Sequence, residues 1–300
     1  MKWLVIITGP TGIGKTKLSI KLAKDFNTEI ISCDSRQVYK EMSIGTAVPT
    51  NEEREGIVHH MLQIISITDY FNAYKYEQQA ISIIDELFKK YDILLMTGGT
   101  GLYINAILYG IDDIPDVDFN VRKNLSNRLK NEGLEKLQEE LKLIDPQIYY
   151  KIDINNPKRI LKALEIYYTS GKPYSSFLTG KKKQRNFNSI LIALDEERDM
   201  LYKKIDDRVD IMIKNGLIEE ARQLYTYKYL NALNTVGYKE LFDYFENKTD
   251  LKTAIEKIKF NTHKYARKQL VWLRKYKNNI NWFLPYDYEK IKSFIHSNVF

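Results

Sequence analysis

The run Gly9-Pro10-Thr11-Gly12-Ile13-Gly14-Lys15-Thr16 satisfies the phosphate-loop pattern. Glycines at these positions let backbone N–H groups approach phosphate oxygens, and a helix that starts at the end of the run adds its positive dipole end. Lys15 supplies a point charge and Thr16 a hydroxyl for Mg²⁺, so the chemistry implied is the holding of a di- or triphosphate. A nucleotide hydrolase carries a further acid on another strand to hold Mg²⁺ or orient water. The segment Ile93-Leu94-Leu95-Met96-Thr97-Gly98-Gly99-Thr100 ends without one. The acid expected beside the loop is instead Asp34, followed by Ser35, Gln37 and Tyr39. A lone carboxylate beside a diphosphate suits a base acting on a second substrate; capping a helix or completing the Mg²⁺ shell are the other roles open to it. His59, His60, His263 and His296 lack the paired spacing of a metal-ligand set, and no chemistry is assigned to them.

These residues need a scaffold that brings three loops together. Trp3 to Thr8 is a continuous apolar run suited to a buried parallel strand, and Thr16 to Phe26 carries Leu18, Leu22, Ala23 and Phe26 at helical spacing. Further strands are expected at Glu29 to Cys33, Ile93 to Thr97 and Ile190 to Leu194, with a helix around Tyr76 to Lys90. Alternating strands and helices imply a parallel sheet, and ligands sit beyond the carboxyl ends of its strands, where the three loops converge. From Pro115 to about Asn188 the pattern changes to charged helices broken at Asp145-Pro146, Asn156-Pro157 and Gly171-Lys172-Pro173, ending in the basic run Lys181-Lys182-Lys183-Gln184-Arg185. The expected architecture is therefore an α/β phosphate-loop core over residues 1–114 and 189–300 and an all-helical insertion over residues 115–188. Beyond the last core strand, Glu196 to Tyr225, Thr235 to Phe245 and Lys252 to Tyr276 read as helices.

Composition limits the partners. The chain has 300 residues, enough for a large α/β domain with an insertion, and no apolar run of about 18 residues that would cross a membrane. The start, MKWLVIITGP, enters a Gly-rich turn instead of a cleavage site, so a soluble, unprocessed, cytoplasmic protein is expected, and separately a monomer. The single Cys33 forms neither an internal disulfide nor a multi-thiolate metal site. Lys and Arg outnumber Asp and Glu by 46 to 39, a formal charge of +7 that favours anionic partners. Between Lys252 and Lys277 stand nine Lys or Arg and one acid, Glu256, interleaved with Tyr265, Trp272 and Tyr276. That combination suits phosphate contacts and stacking on unpaired bases, although Trp272 reads more naturally as a core residue.

Several blocks in order resemble the bacterial tRNA dimethylallyltransferases, also called tRNA isopentenyltransferases. They are the phosphate loop from Gly9, Asp34-Ser35-Arg36-Gln37-Val38-Tyr39 with Ile44-Gly45-Thr46-Ala47, and Gly98-Gly99-Thr100-Gly101-Leu102-Tyr103. Asn156-Pro157-Lys158-Arg159-Ile160-Leu161-Lys162-Ala163-Leu164-Glu165, Asp207-Arg208-Val209, Val236-Gly237-Tyr238-Lys239-Glu240 and Tyr265-Ala266-Arg267-Lys268-Gln269-Leu270-Val271-Trp272 continue the series. The resemblance spans residues 4 to about 274. It implies that the loop, Gly9, Pro10, Thr11, Gly12, Ile13, Gly14, Lys15 and Thr16, holds dimethylallyl diphosphate with Mg²⁺ on Thr16, and that Asp34, Thr16 and Arg208 are catalytic. Asp34 would be the base toward the adenine amine and Arg208 a holder of the diphosphate. The second substrate it implies is a tRNA anticodon stem-loop. Contacts would come from Asp34, Ser35, Arg36 and Gln37, from Thr100 and Arg122, from Lys158, Arg159, Ile160, Leu161 and Lys162, and from Asn234, Thr235, Val236, Gly237, Tyr238 and Lys239. Gly12 stands where that family often has Ala, the order Arg267-Lys268 is the reverse of its usual one, and the segment after His60 follows its pattern loosely.

Two other classes share parts of this description. A small-molecule phosphate-loop transferase, either a kinase or a prenyltransferase acting on free adenine nucleotide, would need neither the insertion nor the basic C-terminal helix. An ATP-driven nucleic-acid binding protein would need the basic surface but has no use for the Asp34 block.

Overall fold

The computed structural model describes the backbone of residues 1–300 and all side chains except those of Phe119, Lys277 and Asn278. The Lys277 charge counted in the basic C-terminal segment therefore lies outside the described residues. The chain forms two compact units, Met1–Leu108 with Gln184–Phe300, and Tyr109–Lys183.

In the first unit the elements run β1 (Trp3–Thr8), α1 (Lys15–Asp25), β2 (Ile30–Ser32), α2 (Asn51–Arg54), β3 (His59–His60), α3 (Ala73–Leu87), β4 (Ile93–Thr97) and α4 (Gly101–Tyr109). After the second unit they resume with β5 (Asn188–Leu194), α9 (Arg198–Lys214), α10 (Leu217–Gln223), α11 (Tyr238–Phe245), α12 (Leu251–Leu273), β6 (Asn281–Phe283) and α13 (Tyr288–Val299). The six strands form one sheet in the order β3-β2-β4-β1-β5-β6, and every pairing is parallel. In β1, Leu4 to Ile7 are wholly buried, and alternate residues enter opposite layers. Leu4 and Ile6 join Leu94 and Met96 against α3 and α4, while Val5 and Ile7 join Ile93 and Leu95 against α1 and α13. Burial on both faces is why these strands read as unbroken apolar runs, and each fully buried Leu or Ile contributes about 1.5–3 kcal/mol.

Three expectations change. The helix expected over Glu196 to Tyr225 is two helices, α9 and α10, separated by the turn at Asn215-Gly216, after which a short 3₁₀ turn covers Tyr225–Tyr227. The helix expected from Thr235 begins at Tyr238, because Asn234 to Gly237 form an irregular approach whose amide at Gly237 is taken by Glu240 Oε2 at 2.8 Å. The helix expected to reach Tyr276 ends at Leu273 and tightens into a 3₁₀ segment, Arg274–Asn279. Two strands, β3 and β6, and three helices, α2, α4 and α13, form where no element is expected.

The second unit is helical: α5 (Phe119–Glu132), α6 (Leu134–Ile144), α7 (Pro146–Tyr149) and α8 (Pro157–Ser170). They close around Leu125, Leu137, Leu141, Ile148, Ile160, Ala163 and Leu164. Asp145, 2% exposed, caps α7 through Ile148 N at 3.1 Å and accepts Ser175 N at 2.7 Å, which explains the residue before Pro146. Both ends of the unit fall a few residues ahead of the expected 115 and 188, because its entry and exit segments pair with each other. Lys183 N donates to Tyr109 O at 2.8 Å and Thr179 N to Asp112 Oδ1 at 3.1 Å. Arg185, the last cation of the basic run, already belongs to the core. It donates to Glu77 Oε1, Ala106 O and Ile107 O, each at 2.7 Å, so this half-buried cation is committed to the buried Glu77 and to backbone of the core.

Candidate active site

The phosphate loop leaves β1 and enters α1 through Gly14, whose φ of +96° places it in the left-handed region, with no atom near its Cβ position. The helix has no acidic residue in its first turn and no side-chain cap, so its N-terminal amides are available to an anion. Lys15 Nζ donates to two carbonyls of its own loop, Gly9 O at 3.0 Å and Pro10 O at 2.8 Å. Burial, reinforced by the Arg208 charge and opposed by Asp34, pulls the Lys15 ammonium down to about 8. Arg208, on α9, is also pulled down by burial, with Asp34 and Glu53 working against the shift. Among the described residues its guanidinium has no hydrogen-bond or ion-pair partner. Two desolvated cations that disfavour each other's charge, beside free helix amides, make a site whose electrostatics an anion would complete.

Asp34 follows β2 and lines the same cleft, which has a volume of about 690 Å³ and also includes Lys15, Thr16 and Arg208. Its Oδ1 accepts Arg36 N at 2.8 Å and Gln37 N at 3.3 Å, so the carboxylate does cap the turn that follows it. Burial pushes the neighbouring Cys33 thiol up, which keeps it a neutral, packed residue. Among the described residues no group of three or more His, Cys, Asp or Glu could hold a metal.

A second cleft of about 480 Å³ shares Thr11, Asp34, Arg208, Met212 and Tyr265 with the first. Of the residues named for RNA contact, Asp34, Ser35, Arg36, Asn234, Thr235, Val236, Gly237 and Lys239 line this second cleft, whereas Gln37 lines the first. The side chains of two are committed inside the fold: Arg36 Nη1 donates to Asn231 O and Ala232 O, and Gln37 Nε2 to Thr46 O and Ala47 O. Thr100 lines neither cleft; its Oγ1 accepts Ser35 N at 2.9 Å and so fixes the Asp34 turn. In the helical unit, Lys158 and Arg159 are exposed at the start of α8, while Leu161 and Lys162 are half-buried. Arg122 forms a two-point pair with Glu165 at 3.0 and 3.2 Å.

Two others are placed inside the fold. Tyr238 is wholly buried and donates to Glu220 Oε1 at 2.6 Å, and Ile160 is wholly buried in the helical core, so neither side chain is presented at the surface. Helix phase turns these two members of their blocks inward.

Three residues near the loop carry no individual role in the sequence reading. Gln269, 7% exposed on α12, accepts Thr11 N at 2.9 Å and donates to Gly99 O at 3.0 Å, tying that helix to both glycine-rich loops. A Cβ at Gly99 would lie 2.2 Å from Gln269 Nε2 and would displace that amide from its present position. Thr97, at the end of β4, lines the first cleft with a buried hydroxyl that has no partner among the described residues. Glu220 on α10 accepts the amides of Ser43, Ile44 and Gly45 at 2.9, 2.7 and 2.9 Å and so shapes the loop after Asp34. Trp272 packs over Gly101 and edge-on to Tyr276 at 4.9 Å; it is half-buried against the core and its remaining face lines a cleft with Lys264, Arg267, Lys268 and Lys275.

A wholly parallel sheet with a phosphate loop after its central strand, and a carboxylate in place of the hydrolase acid, defines a phosphate-loop enzyme built for group transfer. The model of the IPP transferase family matches residues 37–276, and the chain belongs to that family, the tRNA dimethylallyltransferases. The tRNA dimethylallyltransferase of Christiangramia forsetii is 54% identical over 281 residues, covering 94% of this chain and 93% of its own. Tyr-to-Trp block and phosphate loop alike fall within the 298 residues aligned with tRNA dimethylallyltransferase 1 of Bacteroides fragilis, 46% identical over 99% of both chains. Among solved structures, the tRNA isopentenylpyrophosphate transferase of Bacillus halodurans superposes with a TM-score of 0.73 at 37% identity, covering 100% of this chain and 97% of its own. A eukaryotic dimethylallyltransferase described as acting on tRNA gives 0.81 at 28% identity over 99% of this chain and 77% of its own. Among the described residues no helix is long and apolar enough to cross a membrane.

Proposed function

We propose that this chain transfers the dimethylallyl group of dimethylallyl diphosphate to the exocyclic amine, N6, of the adenosine 3′ to the anticodon in tRNA, releasing diphosphate. The observation that carries the reading is the pair of desolvated cations, Lys15 and Arg208, facing the phosphate-loop cleft beside Asp34. The names of the relatives support the same donor group and the same RNA.

The adenine amine is a weak nucleophile because its lone pair is delocalised into the ring. The site must therefore help the leaving group depart, hold the amine and remove its proton. Amides at the start of α1, Lys15 and Arg208 would stabilise the charge that builds on diphosphate as the allylic carbon–oxygen bond breaks. The new carbon–nitrogen bond forms at N6, and Asp34 takes the proton that the amine loses. Mg²⁺ fits this donor set: the Thr16 hydroxyl lines the cleft, and Mg²⁺ is commonly held by one or two protein groups plus phosphate oxygens and water. When bound there it would neutralise charge on the diphosphate. The target base has to leave its loop stack, which costs least when it is already unpaired.

Incubation with dimethylallyl diphosphate, Mg²⁺ and either tRNA or AMP, followed by mass analysis of the nucleosides, tests the reading. The expected product is an adenosine heavier by one isopentenyl unit, released only from the tRNA sample. Product from AMP alone would replace this function with that of a small-molecule prenyltransferase.

A further inference from the structure

The two clefts meet at Thr11, Asp34, Arg208, Met212 and Tyr265. Tyr265 is the one aromatic residue of that set, and it is 41% exposed although its neighbours on α12 are fixed: Ala266 is wholly buried and Gln269 is 7% exposed. Its backbone is therefore held in place while part of the residue lies open to the two clefts. Among the described residues its hydroxyl makes no hydrogen bond, and its ring meets no other ring and no cation. Burial first, and then the Asp34 charge, push its phenol upward, so the ring is neutral at any physiological pH. Lys264 and Lys268, one residue before it and three after, line the same second cleft, as does Lys239. Cations around an unoccupied aromatic face are what an unstacked nucleotide needs, with phosphate contacts on the rim and a ring for its base. A volume of about 480 Å³ accommodates a nucleobase and its sugar.

We propose that Tyr265 is the platform on which the target adenine stacks inside the second cleft, holding the base so that its exocyclic amine faces Asp34 at the junction with the phosphate-loop cleft. The inference rests on the prenyl-transfer reading and adds to it the residue that holds the acceptor base. Stacking suits this position because it fixes the plane of the ring without occupying the amine, leaving N6 free to lose its proton.

The test uses the full chain and an anticodon stem-loop RNA carrying 2-aminopurine at the target position, measured without donor. Leaving the loop stack brightens the probe in every complex, so wild type and Tyr265→Phe, which stack on it again, should both quench it relative to Tyr265→Leu, which keeps bulk but loses the π-face. With unmodified RNA and donor, Tyr265→Leu should raise KM for RNA about 5- to 150-fold, the range that corresponds to losing one base stack, with KM for donor unchanged. Tyr265→Phe should restore the wild-type KM, which excludes misfolding of the site as the cause. Unchanged quenching and unchanged RNA KM in Tyr265→Leu would overturn the proposal. So would a slower single-turnover rate with normal quenching, since the ring would then face the donor's allylic carbon and not the base. Because quenching is read without donor, and wild-type transfer is assayed separately, a failure of the prenyl-transfer reading itself would be recognised by the absence of product from wild type.

Discussion

Asp34 uses Oδ1 to cap its own turn, through the amides of Arg36 and Gln37, and this fixes the carboxylate relative to the cleft. An Asn side chain retains an oxygen for that cap but cannot accept the amine proton. Asp34→Asn should therefore fold and bind both substrates while single-turnover transfer slows about 10² to 10⁴-fold, or roughly 3–5 kcal/mol of barrier, the usual worth of general-base help. A rate close to wild type would reduce Asp34 to its capping role. Lys15 gives a pH signature. Its ammonium is pulled down to about 8 by burial and by Arg208, and a bound diphosphate would restore it. Below about pH 8 Lys15 is protonated with or without donor, so affinity is flat. Above it, binding must take up a proton, and affinity should fall by up to about tenfold per pH unit until the raised pKa of the complex is reached. Calorimetry in buffers of different ionisation enthalpy would detect that proton uptake; donor affinity constant from about pH 7 to 10 would mean that Lys15 does not hold the diphosphate.

At the scale of elements, α12 does more than present charge, because Gln269 joins it to the loops after β1 and β4. Gln269→Leu would leave Thr11 N–H and Gly99 C=O unpaired in a nearly dry position, at a cost of about 1–3 kcal/mol each where no water replaces the amide. The variant should have a lower Tm and, well below that Tm, a raised KM for donor. A donor KM equal to wild type would show that the phosphate loop keeps its shape without the helix. This link was not legible in the sequence: its partners are 258 and 170 residues away, and no local periodicity encodes such a contact. What was legible had a local cause. Buried on both faces, β1 and β4 read as continuous apolar runs whose bounds are those expected, Trp3–Thr8 and Ile93–Thr97. By contrast β3 is only His59–His60, a strand because it pairs with Ile30 and Ile31, and Asn281–Phe283 is an edge strand of three residues. The candidate site divides the same way. Spacing identified Gly9 to Thr16 and Asp34, but whether Tyr238 or Lys239 faces the second cleft depends on helix phase, which a block of matched residues does not fix.

For the whole molecule, a formal charge of +7 favours a polyanion without saying where it binds, and the fold supplies distinctions that composition cannot. In the core unit, Lys264 and Lys268 line the second cleft, whereas Arg267 donates to Tyr202 Oη at 2.6 Å and is partly used. The helical unit presents Lys158 and Arg159, exposed in the first turn of α8. Lys89 and Lys90 are also exposed, but they lie between α3 and the start of β4, at the opposite end of the strands from the phosphate loop. If RNA is held through phosphates at the carboxyl ends of the strands and on the helical unit, affinity should fall linearly in log–log form with salt. Each phosphate contact removed should then lower the slope by about 0.7–0.9. Changing Lys264 and Lys268 to Gln together should flatten the line by up to about two contacts, and changing Lys158 and Arg159 to Gln should do the same independently. Replacing Lys89 and Lys90 by Gln removes the same net charge and should leave the slope as in wild type. Equal flattening in all three double variants would mean that RNA responds only to overall charge; no flattening in the Lys264–Lys268 pair would remove the second cleft from the RNA interface.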